Sequence, residues 1–469
     1  ANLKIDWSAE KDADGLYLID AIDVDDLRTY GREAPRDTFK NNDKINGLVR
    51  FTRKPAPLVY DLDRDGTSEV VLPGHNVVLR DVGSDTPRAT PLFEAPGIGA
   101  PNGYRTAGVI ADFTGDGHAD LFCTGYYESS QHFHEQTGDP AALLFVGDAD
   151  GHFRERGVPV HDVPLELKEP IGATAGDVDG DGDLDVWLYQ YKAPYRQGQV
   201  PTPFYDANDG HPSYLFLNEG DGTFTDATVS AGLEAKRYRR TYSASFVDFD
   251  EDGDLDLIVV NDFAGIDMYT NDGNGHFTNV TQSTVDEDSN YGMAHTFADF
   301  NLDGMMDFYI IGMSSTTMRR LEYMGLTRED YPEQNTMRST MGYGNRMYLG
   351  KAGHIFEQPP FRDQVARTGW SWGTTAFDFD NDGDMDVYVA NGHLSGETTK
   401  DYCSQYWCHD VYTESSEESP VLAGLFKNTL DLPLRTMSWD GYQKNNLLMN
   451  LDGAGFVNIN FLVDVALVE

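Results

Sequence analysis

The chain has 469 residues, 78 acidic against 35 basic side chains and a formal charge of -43, with 40% hydrophobic residues. That composition excludes a disordered acidic tail, and so negative a field makes nucleic acid phosphates and anionic lipid poor partners. No apolar run reaches the roughly 18 residues of a membrane span, and the sequence opens at Ala1 without an apolar leader, so any export signal is expected to have been removed or to lie outside it.

From residue 51 to 469 one unit recurs: an alternating apolar run, then Asp-x-Asp/Asn-x-Asp-Gly-x-x-Asp/Glu, then a β-rich run. Residues 1–50, ahead of it, carry only degenerate fragments of that unit and are read as an amino-terminal segment that completes a ring. The copies start at Asp61, Asp112, Asp177, Asp248, Asp299 and Asp378, separated by 51, 65, 71, 51 and 79 residues. Each is followed by a short apolar strand and an Asp/Asn/Gly turn, as in Leu143–Val146 before Asp150-Gly151 and Tyr214–Leu217 before Asp221-Gly222. Such hairpins at such spacing predict one four-stranded propeller blade per copy.

Calcium takes six to eight hard oxygen ligands, and a loop with oxygens at positions 1, 3, 5 and 9, a carbonyl at 7 and a glycine at 6 wraps one ion. The candidate ligands are Asp61, Asp63, Asp65 and Glu69; Asp112, Thr114, Asp116 and Asp120; Asp177, Asp179, Asp181 and Asp185; Asp248, Asp250, Asp252 and Asp256; Asp299, Asn301, Asp303 and Asp307; and Asp378, Asp380, Asp382 and Asp386. About six Ca2+ ions per chain are expected. Thr114 and Asn301 bring oxygen without charge, so weaker binding is expected in the second and fifth loops. The loops hold 26 of the acidic residues, and ions there would relieve their mutual repulsion.

Two insertions interrupt the rhythm. Residues 314–343 are polar, Met-containing and compatible with a short helix, and residues 394–440 hold Cys403 and Cys408. The Cys pair fits a disulfide in an exported chain; with His393 and His409 it also offers a transition-metal site, and unpaired thiols are a third possibility. Met305, Met306, Met313, Met318, Met324, Met337, Met341 and Met347 suit blade packing or soft-metal ligation. Cys123, after Leu121 and Phe122, reads as a buried thiol. The run Phe461–Ala466 looks like the lead-in to a further blade, supplied either by the amino terminus or by a second chain.

The repeats resemble the FG-GAP/VCBS family, which includes the integrin α-subunit propeller. Thr368-Gly369-Trp370-Ser371-Trp372-Gly373 leading to Phe377-Asp378, with Asn345-Arg346-Met347-Tyr348, is similar to the CRTAC-like members. The resemblance implies an all-β propeller, most often of seven blades, with calcium loops in at least six of them on the face opposite the ligand surface. That opposite face would then carry Arg53, Lys54, Arg105, Lys168, Arg237, Arg239, Arg240, His295 and Arg367, joined by His75, Tyr126, Tyr127, Tyr189, Asp262 and His393. These basic residues either pair with nearby carboxylates or focus an anionic ligand, and Arg105, Tyr189, Arg239, His295, Arg367 and His393 are the candidate ligand contacts. No catalytic triad, zincin helix or phosphate loop is found. The expected function is a secreted, periplasmic or cell-surface scaffold that binds protein or carbohydrate. The alternatives are a hub-active lyase or metal-dependent oxidoreductase, and a subunit of a larger extracellular complex.

Overall fold

A computed structural model describes residues 2–11, 17–25, 57–92, 108–125, 141–153, 158–160, 165–194, 201–392, 417–424 and 443–463. Six antiparallel four-stranded sheets follow one another along the chain. Blade 1 is built from Leu58–Tyr60, Glu69–Leu72, Val77–Arg80 and Arg88–Pro91, and blade 2 from Gly108–Ala111, Asp120–Gly125, Ala141–Phe145 and Val158–Pro159. Blade 3 comprises Pro170–Gly176, Asp185–Gln190, Tyr214–Asn218 and Phe224–Asp226; blade 4, Arg240–Val247, Asp256–Asp262, Gly265–Asn271 and Phe277–Asn279. Blade 5 holds Gly292–Ala298, Asp307–Gly312, Arg346–Lys351 and Ile355–Glu357, and blade 6 holds Ser371–Phe377, Asp386–Asn391, Asn446–Asn450 and Phe456–Asn458. The first strands of successive blades neighbour one another, so they form the wall of the hub.

The second strands are apolar along their whole length because both of their faces are covered. In blade 3, Val186 and Leu188 pack with Phe113, Phe122 and Leu144 of blade 2, while Trp187 and Tyr189 pack with Ala244, Leu257 and Val259 of blade 4. The same alternation sets Ile258 and Val260 against Phe308 and Ile310, and Tyr309 and Ile311 against Val387 and Val389. Each core is therefore an interface between blades, and the sheet stack is held by burial from both sides. Cys123 sits in the core between blades 1 and 2 as a free thiol, and burial raises its pKa.

The blade count corrects the expected seven: six four-stranded sheets are present among the described residues. Asn2–Lys11 and Tyr17–Asp25 pair only with each other in a two-stranded sheet. The physical reason lies in the repeat itself. Each loop copy builds a whole blade, the first 50 residues contain no copy, and the seventh blade rested on the habit of the resembling family. Every blade also takes all four strands from this chain, so none needs a strand from a second chain.

The 314–343 insertion joins the second and third strands of blade 5 as two helices, Thr316–Tyr323 and Pro332–Met341. Ser315 caps the first, its Oγ accepting from Met318 N at 3.0 Å. Met313, Met318 and Met341 are buried with Phe204, Phe263 and Tyr291, so these methionines pack; Tyr323, Met324 and Leu326 at the inter-helix turn are exposed. In blade 6 the 394–440 insertion also follows the second strand, and Cys403 and Cys408, with the disulfide expected of them, lie outside the described residues. No helix among the described residues is long and apolar enough to cross a membrane.

Candidate metal loops and the hub

All six loops adopt one geometry between the first and second strands of their blades. Position four is left-handed, with φ of 58° to 75° at Arg64, Gly115, Gly180, Glu251, Leu302 and Asn381, and the position-six glycine is left-handed too, with φ of 85° to 99°. These two left-handed residues fold the loop over its own carboxylates, and a side chain at position six would be strained. In every loop that glycine N–H donates to the first aspartate, at 2.8 to 3.1 Å.

The ninth residue is buried and locks the loop to the sheet. Asp185 accepts from Val178 N and Asn218 N, both at 2.9 Å, and Asp256 from Phe249 N at 3.1 Å and Asn271 N at 2.9 Å. Asp120, Asp307 and Asp386 repeat the pattern. Burial pushes Asp185 and Asp256 up to about 7 and Asp307 and Asp386 up to about 6.

In four loops, carboxylate oxygens of positions one, three and nine lie within 4.8 Å of one another: Asp61, Asp63 and Glu69; Asp177, Asp179 and Asp185; Asp248, Asp250 and Asp256; Asp378, Asp380 and Asp386. These are all-oxygen clusters suited to a divalent cation. Two further observations test the fit: Asp112 Oδ1 and Asp248 Oδ1, at position one of the second and fourth loops, are buried without a hydrogen-bond donor. A buried carboxylate oxygen with no donor is costly, and a cation answers it. In the second loop Thr114 Oγ1 donates to Asp120 at 3.1 Å, and in the fifth Asn301 Nδ2 donates to Asp303 at 2.9 Å. The first loop differs, because Arg80 reaches Asp63 at 2.8 Å and Glu69 at 3.4 Å. Nothing in the loop sequence announces that arginine, which stands in the third strand. A further exposed group, Asp148, Asp150 and His152, lies in the outer turn of blade 2.

The candidate ligand residues do not share one site. Tyr189 is buried between blades 3 and 4. Arg239 is buried against Asp206 at 2.6 Å and Asp267 at 3.3 Å, and Arg367 is bound to Asp363 at 3.0 Å and lies over the Tyr343 ring. Among the described candidates His295 alone lines the hub wall, held between Ser243 Oγ and Ser245 Oγ, each at 2.8 Å, and burial lowers its pKa to about 4, so the ring is neutral. Arg105 and His393 lie outside the described residues. Lys168 and Arg240 are also paired, with Glu166 at 3.0 Å and Asp209 at 2.9 Å.

What the sequence did not disclose is an aromatic mouth on the face opposite the loops. The first strands of blades 3 to 6 each carry a register shift near their start, passing over Ile171, Tyr242, Met293 and Trp372. Such bulges re-aim side chains. Tyr242 and Trp372 belong to blades with a whole blade between them, yet their rings meet edge to face at 6.0 Å, which places the contact across the hub. Tyr191 lies against Tyr242 at 4.2 Å, and its hydroxyl donates to the buried Asp262 at 3.0 Å.

Burial pushes Asp262 up to about 7, against the nearby positive charge of Arg240. Its unfolded value is about 3.9. The folded state therefore holds this proton more tightly, and the stability it contributes is present at acid pH and lost as pH rises through about 7. Asp262→Asn is expected to flatten the fall in melting temperature between about pH 4 and pH 7. An undiminished fall would assign it to other groups.

Loops and blades of this form recur in known proteins. The FG-GAP-like repeat family matches residues 112–188, 205–259 and 248–310, covering the second to fifth loops. Within residues 112–310 the chain carries FG-GAP-like repeats. Among curated proteins this propeller is similar to cartilage acidic protein 1 of Homo sapiens, 26% identical over 190 residues, or 39% of this chain and 25% of that protein. The Xenopus tropicalis protein of the same name is 27% identical over 190 residues, 39% of this chain and 26% of the relative. The chain thus spans about a quarter of the length of the curated relatives it matches. Among solved structures it is similar to an Agrocybe aegerita lectin that recognises non-reducing terminal N-acetylglucosamine (TM-score 0.47, 15% identity, 87% of this chain and 79% of that one). A rhamnogalacturonan lyase of Bacillus licheniformis gives a TM-score of 0.40 at 15% identity, over 72% of this chain and 55% of the other.

Proposed function

We propose that the protein is an extracellular or cell-envelope binding scaffold whose loops hold calcium and whose hub mouth takes a carbohydrate ring. The oxygen-only clusters, the glycine at position six and the orphaned Asp112 and Asp248 oxygens support calcium over zinc, which prefers His and Cys. The ions would serve the fold by binding the native form alone.

The observation that carries the ligand reading is the half-exposed Trp372 ring meeting Tyr242 across the hub, above a wall of hydroxyls and a neutral imidazole. An indole face offers flat apolar area to the C–H face of a sugar, and Ser243, Ser245 and His295 offer polar contacts below it. The basic residues first considered for an anion have carboxylate partners at Arg239, Arg240 and Arg367, which supports a neutral ligand. A panel of immobilised oligosaccharides tests this. Binding by the native protein and at least a tenfold loss in Trp372→Ala, at unchanged melting temperature, is the expected result; binding that survives the substitution moves the ligand to another surface. A second reading, a hub enzyme, is favoured by the Tyr191–Asp262 pair, which can hold and pass one proton at the mouth. Product formed from a bound saccharide and lost in Asp262→Asn would establish it.

A further inference from the structure

One register position recurs at the end of every third strand. It lies two residues beyond the residue paired with the first residue after the loop, as given by Val70 with Leu79, Leu121 with Phe145, Val186 with Phe216, Leu257 with Tyr269, Phe308 with Tyr348 and Val387 with Leu448. The residues there are Asp81, Gly147, Asn218, Asn271, Gly350 and Asn450.

Where it is asparagine, one residue ties two loops together. Its N–H donates to the ninth carboxylate of its own loop, at 2.9 Å for Asn218, 2.9 Å for Asn271 and 2.7 Å for Asn450. Its Nδ2 donates to the eighth-residue carbonyl of that loop, at 3.2, 3.1 and 3.2 Å. The same Nδ2 donates to the second-residue carbonyl of the preceding loop: Phe113 O at 2.9 Å, Val178 O at 2.7 Å and Phe300 O at 2.9 Å. That carbonyl belongs to the peptide that carries the third-position ligand.

Where it is glycine, the N–H bond to the ninth carboxylate is kept, at 2.9 Å for Gly147 and 2.7 Å for Gly350, but no side chain reaches back. Nor is there room for one, since a Cβ would lie 1.9 Å from Ala119 O at Gly147 and 2.5 Å from Met306 O at Gly350. Asp81 instead pairs with Arg88.

We infer that cation binding is coupled through these asparagines in two groups, loops 2, 3 and 4 through Asn218 and Asn271, and loops 5 and 6 through Asn450, with no asparagine link at Gly147 or Gly350. This coupling rests on the loops holding cations, as proposed. An ion in either loop of a linked pair orders the shared asparagine, so the second ion has less left to order; the coupling is reciprocal. The three asparagines are positioning residues, and none is itself a ligand.

Hydrogen exchange read by mass spectrometry, with the full chain titrated from chelator with calcium, follows each loop separately. Loops 2, 3 and 4 are expected to gain protection at one calcium midpoint and loops 5 and 6 at a second, shared one. Asn271→Ala should move loop 4 at least about fivefold away from loops 2 and 3, leaving loops 5 and 6 together. Asn450→Ala should do the converse, splitting 5 from 6 only, and it decides the matter if the first variant does not fold. Midpoints that move all together, or not at all, in both variants overturn the coupling while leaving calcium binding intact. Protection that ignores calcium at every loop overturns the cation reading and the coupling with it.

Discussion

Chelation near neutral pH is expected to lower the melting temperature more than any single substitution. The six loops carry 26 acidic side chains, with ninth residues buried in the sheets. Without cations these charges repel one another, and each ion held at a hundred times its Kd contributes about 2.7 kcal/mol. Several such sites together match the whole net stability of a typical domain, about 5–15 kcal/mol. Calorimetry with and without chelator measures this. Restoration by calcium and not by sodium is the predicted outcome; an unchanged melt would mean that the loops are only turns.

The second large effect is expected from Asp256→Ala. Asp256 is buried and accepts from two buried backbone amides, Phe249 N and Asn271 N. Leaving both donors unsatisfied costs about 1–3 kcal/mol each, so a loss of roughly 2–6 kcal/mol is expected even in chelator, with a further calcium-dependent loss. Asp250→Ala is the control, because Asp250 accepts from Asp252 N at 3.3 Å within an exposed turn. It should lose the calcium-dependent part alone. Equal losses for the two variants in chelator would show that the ninth residue is no more than a ligand.

The repeat made the blades legible. A carboxylate-glycine loop flanked by apolar runs can be seen in one sequence because loop chemistry and strand burial are both local, so all six loops and their hairpins were placed by residue type. The seventh blade failed because it was borrowed from the habit of a family and not from a seventh loop copy. Long-range pairings were hidden. Arg80 reaches Asp63 from the third strand, and Arg239, read as a hub cation, is consumed by Asp206 and Asp267. The mouth was missed because a bulge passes over Tyr242 and Trp372, and no periodicity reports a bulge. The asparagine links had a visible trace, an Asn just before the outer Gly-rich turn in Asn218-Glu219-Gly220, Asn271-Asp272-Gly273 and Asn450-Leu451-Asp452-Gly453, but its second partner lies 93 to 150 residues away.

Elemental analysis of the whole protein after dialysis without chelator, with the protein quantified independently, addresses the central claim most directly. Six calcium ions per chain, one for each loop, with no stoichiometric transition metal is the predicted composition. Calcium near zero, or a single tightly held copper, iron, manganese or zinc in its place, would contradict it.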